Sequence, residues 1–280
     1  MTAPTTTAAD ERVTAQAGRQ FAGRVALVTG GGSGIGRACA VRYAAGGGDV
    51  AVLGRRAEPL EETARLAEEH GARVHVVTCD VRDAAAVDAA VAEVVARLGR
   101  LDSLVNNAAG NFVCAAEELS PKGWKAVIEI VLNGTFHCTR AAAQHMLAAG
   151  RGSVLNVIAS YAWHGHPGTV HSAAAKAGVL AMTRTLAVEW GARGVRVNCI
   201  APGPTETEGA GAALWPTPED RERVLASVPA GRFTTPDEIA ESAAFLLDDR
   251  AAGYISGEVL TVDGGQWLGK VVYADSSVGR

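Results

Sequence analysis

In the run RVALVTGGGSGIGRACAVRY, residues 24–43, Thr29, Gly30, Gly34 and Gly36 stand in the spacing T-G-x-x-x-G-x-G, which suits the holding of a diphosphate. Residues without a Cβ let a diphosphate approach the backbone, and the amides opening the next helix meet it with the positive end of the helix dipole. Gly fills 33 of 280 positions, so clustering alone says little; the apolar strand before the turn and the helix after it give the motif its meaning. A basic pair, Arg55-Arg56, follows the next apolar run, with no acid before Glu58. An acid at such a strand tip would accept the ribose hydroxyls of NAD, whereas a base pairs the 2′-phosphate of NADP, so NADPH is the expected cofactor. A second group of reactive residues lies between Ala159 and Lys176: Tyr161, His164, His166, His171, Ser172 and Lys176. His-Gly-His on a loop is not a recognised zinc arrangement and no cysteine or acid flanks it, so no metal is expected.

The elements that must position these groups alternate. Apolar runs at 25–28, 49–53, 73–77, 101–105 and 153–158, a run ending near Thr205 and another at 257–265 read as strands, with helical stretches at 57–70, 84–98, about 121–149 and 170–191 and a further helix from Pro236. This rhythm predicts an α/β fold, a single-domain Rossmann-type doubly wound parallel seven-stranded sheet with helices on both faces. Residues 1–22 read as a mobile tail without the apolar core of a secretory signal, 23–268 as the domain with a substrate lid at 206–232, and 269–280 as a second tail. The net charge of −4 gives no basic field for nucleic acid, and no apolar run approaches a membrane span. Five scattered cysteines form no CxxC pair and read as free thiols; cytoplasm is the expected location by default.

The glycine spacing resembles the TGxxxGxG signature of the short-chain dehydrogenase/reductase family, and Asn106-Asn107-Ala108-Ala109-Gly110 resembles its NNAG motif with one alanine inserted. The resemblance implies a cofactor site at Gly30, Gly32, Ser33, Gly34, Ile35, Gly36, Arg55, Arg56, Asp80, Val81 and Asn107. It adds Lys176 and the turn Pro202, Gly203, Thr205, which is expected to pack on the nicotinamide. Lys176 is the lysine of the family's Y-x-x-x-K, but the tyrosine position holds Ser172 and the catalytic serine position holds Ala159. A serine hydroxyl is far too weak an acid to replace a phenol in ketone reduction.

One subfamily departs from the pattern in the same way. The runs NNAAGNF, VLNGT, HSAAAKAG, LAVEW, APGP and VDGGQWL together are similar to 2,4-dienoyl-CoA reductases, from about Gly23 to Leu268. There a tyrosine on the end of the fifth strand lies fifteen residues before the lysine, and Tyr161 stands at that position. The resemblance implies hydride transfer from NADPH to a conjugated dienoyl thioester, giving a 3-enoyl-CoA. Tyr161 and Asn111 would then be the donors to the developing thioester oxyanion. It further implies that Lys176 holds the ribose, that Ser172 serves in hydrogen bonding, that Asn133 holds a water and the lysine in a relay, and that Arg82, Phe112 and Ser120 touch the acyl-CoA. A homotetramer built on the two long helices is implied in the same way. Two other readings stay open: a reductase or dehydrogenase of another carbonyl or enoyl substrate, and a non-catalytic NADP-binding redox sensor.

Overall fold

The structure, a computed structural model, describes residues 20–207, 209 and 214–268. The expected tails at 1–19 and 269–280 lie outside the described residues, as do 208 and 210–213 of the expected lid. The elements are β1 (Val25–Thr29), α1 (Gly34–Ala45), β2 (Asp49–Gly54), α2 (Ala57–Glu68), β3 (Val74–Thr78), α3 (Ala84–Leu98) and β4 (Ser103–Asn106). They continue with α4 (Pro121–Ile128), α5 (Gly134–Ala149), β5 (Gly152–Val157), α6 (Tyr161–His164), α7 (Val170–Gly191) and β6 (Val195–Pro202). The last are α8 (Pro218–Ala226), α9 (Pro236–Leu247), α10 (Asp249–Ala252) and β7 (Val259–Val262).

The seven strands form one parallel sheet in the order β3-β2-β1-β4-β5-β6-β7. Alternation along β1 explains the two covered faces. Val25 and Leu27 join Val87, Val91 and Val94 of α3 and Cys138, Ala142 and Met146 of α5. Ala26 and Val28 point the other way, to Tyr43 and Ala44 of α1 and Ile239, Ala243 and Leu247 of α9. Strands so buried read as continuous apolar runs, which is why composition located them. The order reverses between β1 and β4, so the loops leaving those two strands part and open a crevice at their carboxyl ends.

A polar chain crosses this apolar sheet. Asn106 Nδ2 donates to Thr139 Oγ1 on α5 and to Asn156 Oδ1 on β5, each at 2.8 Å, and Asn156 Nδ2 donates to Thr183 Oγ1 on α7 at 2.8 Å. Because a buried polar group left unpaired costs about 1–3 kcal/mol, the chain fixes the register of β4, β5 and both long helices together.

Two expectations need correction. Phe21 is not part of a mobile tail: it is fully buried, stacks on Tyr43 at 4.0 Å between ring centroids, and its amide donates to Gly46 O at 2.8 Å. An aromatic ring against the α1 core outweighs the polar run before it. The stretch 121–149 is also not one uniform helix, since residues Glu129–Asn133 form a π-helical turn between α4 and α5. No helix among the described residues is long and apolar enough to cross a membrane.

Candidate active site

The crevice between the β1 and β4 loops is a cleft of about 990 Å³. Its floor is the glycine turn. Gly30 has φ +63°, and a Cβ there would stand 2.9 Å from Asn107 Nδ2 and 3.0 Å from Ala108 Cα; at Gly36 a Cβ would stand 2.3 Å from Gly30 O. Only glycine lets the turn, the start of α1 and the β4 loop close on one another. Gly30, Gly32, Ser33, Gly34 and Ile35 line the cleft, while Gly36 lies beneath as the packing contact. Asn107 also lines it and braces the turn, its Nδ2 donating to Thr29 O and Gly30 O at 3.2 Å each. Thr29 Oγ1 accepts the amides of Asn107 and Ala108 at 3.0 Å, locking the two loops together.

The N-terminus of α1 is open. Asp83, Ser120, Thr217 and Thr235 cap the first amides of their own helices with side-chain oxygens, but Ser33 makes no such bond. Unspent amides at a helix start are what an anion needs. Arg55 and Arg56, exposed on the wall beside this point, make no ion pair among the described residues. Arg37, which sequence reasoning passed over, also lines the cleft and braces the turn through Gly32 O at 2.7 Å; its place directly after the last motif glycine was the available signal.

At the other end of the cleft stand Asn111, Tyr161, Ser172 and Lys176. Tyr161 opens α6, four residues beyond the last residue of β5 rather than on the strand itself. Its hydroxyl pairs with Ser172 Oγ at 3.1 Å, joining α6 to α7. Burial pushes the phenol above its ordinary pKa, which the serine bond only partly offsets, so Tyr161 keeps its proton. Lys176, one α7 turn on from Ser172, donates to Val157 O at 2.5 Å, and burial pulls its ammonium down to about 8. Asn111 Oδ1 accepts the Phe112 amide at 2.9 Å, which leaves Nδ2 buried without a partner. An orphaned amide donor on a cleft wall costs stability and is poised to serve a ligand.

Several of the remaining residues turn to partners other than those expected. Asn133 spends its amide on Glu129 Oε2, within its own π turn, at 3.0 Å rather than on Lys176. Asp80 and Val81 line the cleft, but Arg82 folds back onto the Asp80 carboxylate at 2.5 Å, two residues away across a short turn. Ser120 Oγ accepts the Gly123 amide as the cap of α4. Phe112 lies outside the cleft lining, edge-on to His171 at 4.4 Å. Pro202, Gly203 and Thr205 are not among the lining residues either; Thr205 is buried and bridges to Thr234, and the wall there is made by Glu206, Thr207 and Leu214. The three histidines do not converge, since His164 and His166 turn to Gly165 O and Pro167 O while His171 is fully buried with both nitrogens unpartnered.

A glycine turn at the switch point of a parallel sheet, with lysine and phenol facing it, defines a dinucleotide-dependent oxidoreductase. The family model described as enoyl-(acyl carrier protein) reductase matches residues 30–266, and the chain belongs to the short-chain dehydrogenase/reductase family. Within that family it is 52% identical over 88% of its length to a probable 2,4-dienoyl-CoA reductase, (2E)-enoyl-CoA-producing, of Bacillus subtilis, covering 97% of that protein. It is 39% identical over 88% of its length to the peroxisomal 2,4-dienoyl-CoA reductase, (3E)-enoyl-CoA-producing, of Danio rerio, covering 82% of it. A Beutenbergia cavernae protein solved with bound NADP at low occupancy superposes with a TM-score of 0.84 at 37% identity, over 90% of this chain and 100% of that one.

Proposed function

We propose that the protein reduces 2,4-dienoyl thioesters of coenzyme A with NADPH. The observation that carries this reading is the pair of proton-bearing donors, Tyr161 OH and the unpartnered Asn111 Nδ2, on the wall of the cleft that Lys176 and the glycine turn share. The open start of α1 would hold the cofactor's diphosphate, and NADPH when bound would supply the hydride that adds to the far end of the conjugated system. Charge then develops on the thioester oxygen, where Tyr161 and Asn111 are the fixed donors; donors aimed at developing charge lower the barrier more than ground-state binding does. Ser172 orients the phenol, and Lys176 holds the ribose hydroxyls. Asp80 and Val81 flank the adenine, and Glu206, Thr207 and Leu214 of the expected lid wall the cleft. The proposed homotetramer packs through α4, α5 and α7, a reading that exposed Trp124, Phe136 and Val170 on those helices support.

Protonation of the resulting dienolate at the α carbon gives a 3-enoyl-CoA, as the name of the Danio rerio relative has it. Protonation at the γ carbon gives a 2-enoyl-CoA, the product in the name of the Bacillus subtilis relative, and this is the second reading. The test is NADPH oxidation with a 2,4-dienoyl-CoA, beside NADH and a 3-ketoacyl-CoA, with the product's double bond placed by NMR. Turnover of the dienoyl substrate is expected. Turnover of the ketoacyl substrate instead would overturn the reading, and NADPH binding without any turnover would favour a redox sensor.

Cofactor choice rests on Arg55 and Arg56. Removing both guanidinium groups, Arg55→Ala with Arg56→Ala, is expected to raise the KM for NADPH roughly 10- to 100-fold, the worth of a charge-assisted hydrogen bond of about 1.5–3 kcal/mol. The KM for NADH should stay unchanged. Equal losses with both cofactors would mean that the pair does not read the 2′-phosphate.

A further inference from the structure

Tyr161 is carried by the shortest of supports. The helix α6 has four residues, Ser160 at its N-terminus makes no side-chain cap, and Gly165 ends it with φ +73°. A helix this short has no stability of its own, so its place must be set by what packs on it. On the cleft side its hydroxyl pairs with Ser172, and Ala162 and Trp163 pack against the cluster that holds Ile158, Ala175 and Val179. On the far side stands the turn that follows β7. The ring of Trp267 meets Trp163 edge-on, with centroids 5.6 Å apart at 87°, and lies parallel to His164 at 6.4 Å and 3°. His164 Nε2 in turn pairs with Ser160 Oγ at 3.1 Å, so the contact reaches the residue before Tyr161.

The turn itself is tied to the sheet. Asp263, buried directly after β7, accepts the Gly265 amide on Oδ1 and the Trp267 amide on Oδ2, both at 2.9 Å. Gln266 adds a bond to Ser227 Oγ at 2.8 Å. Two indole rings crossed at a right angle have the favoured electrostatics of an aromatic pair, which resists sliding in a way that aliphatic packing does not.

We infer that Trp267 is a positioning residue for the reaction: anchored to β7 through Asp263, it clamps Trp163 and His164 and so holds the Tyr161 hydroxyl at the cleft. The inference rests on the proposed role of Tyr161 as oxyanion donor. Misplacement of a reacting group by about 1 Å costs about 10²-fold in rate, so a loosened α6 is read in kcat rather than in cofactor binding.

The test uses the full chain with a 2,4-dienoyl-CoA. Trp267→Ala is expected to lower kcat about 10- to 100-fold, with the KM for NADPH held within about twofold. Trp267→Phe, which keeps an edge-on ring, should recover most of the rate. In a Tyr161→Phe background Trp267→Ala should cost nothing further, because the two act through one group. Loosening should also bring the Tyr161 phenol, followed by tyrosinate absorbance against the Tyr161→Phe protein, down toward its ordinary value. Where the alanine variant fails to fold, Trp267→Leu carries the same kinetic expectations. An unchanged kcat in the Ala or Leu variant, or an equal loss in the Tyr161→Phe background, overturns the clamp. Full activity of Tyr161→Phe alone overturns the catalytic reading instead, and the phenol titration still decides whether Trp267 holds Tyr161.

Discussion

Tyr161→Phe is expected to lower kcat for a 2,4-dienoyl-CoA by about 10²–10³-fold, the usual worth of one donor to a developing oxyanion. The affinity for NADPH should not change, since the phenol is not among the groups proposed to hold the cofactor. Phenylalanine keeps the ring's packing, and the substitution removes a single hydroxyl and its bond to Ser172 Oγ. Asn111→Ala should cost a comparable factor, and the two together less than the product of the single losses, because donors to one oxygen act as a unit. Steady-state kinetics, with NADPH binding measured by fluorescence, check both. A Tyr161→Phe enzyme with unchanged kcat would remove the phenol from the mechanism. The raised phenol pKa also fixes the sign of its pH dependence: Tyr161 stays a donor through neutral pH and is lost only on the alkaline side.

Lys176→Met is expected to destroy activity and to stabilise the fold. The ammonium, driven from 10.5 down to about 8 by burial, is still mostly charged at pH 7 in the folded chain as in the unfolded one, so the native state carries a desolvation penalty on the order of 3 kcal/mol. The folded chain sheds this proton at about pH 8 while the unfolded chain keeps it to 10.5. The unfolded state therefore binds more protons between those values, and the lysine's contribution to stability rises with pH across that window. Methionine fills a similar volume without the charge. Its stability gain should be full below about pH 8 and gone above about 10.5, as denaturant unfolding at several pH values would show. In the same variant kcat/KM for NADPH should fall by at least about 10²-fold, since hydrogen bonds from a charged donor are worth about 1.5–3 kcal/mol each. A Lys176→Met protein less stable than its parent at pH 7 would mean that the ammonium is better solvated than its burial implies.

The sheet was legible in the sequence because its central strands are buried on both faces and its helices separate them, so that hydrophobic runs and glycine turns mark most boundaries. The glycine turn and the basic pair after β2 were legible for a similar reason: their chemistry follows from residue type at a strand tip. Tyr161 was not readable from residues alone, since a single tyrosine fifteen residues from a lysine carries no pattern without the family resemblance. Side-chain partners were the least legible. Nothing in the spacing shows that Asn133 would turn to Glu129, that Arg82 would close on Asp80, or that His171 would be sealed against Phe112. Such choices depend on distances between elements that only the assembled fold sets. Phe21 was misjudged because a lone aromatic in a polar run gives no period, although the α1 core receives it.

The π turn at Glu129–Asn133 changes how the helical stretch from 121 to 149 faces its neighbours. Val127 before the turn and Val131 within it pack with Ala175 and Val179 of α7, whereas Cys138, Ala142 and Met146 after it pack under the sheet with Val91 and Val94 of α3. One uninterrupted α-helix keeps a single phase along its length; a wide turn adds one residue and rotates everything after it by about 100° relative to everything before. The stretch is thus two helices in succession but out of phase, like cams set at different angles. Deleting a single residue within 129–133 would restore the regular pitch and turn one of the two apolar stripes toward solvent.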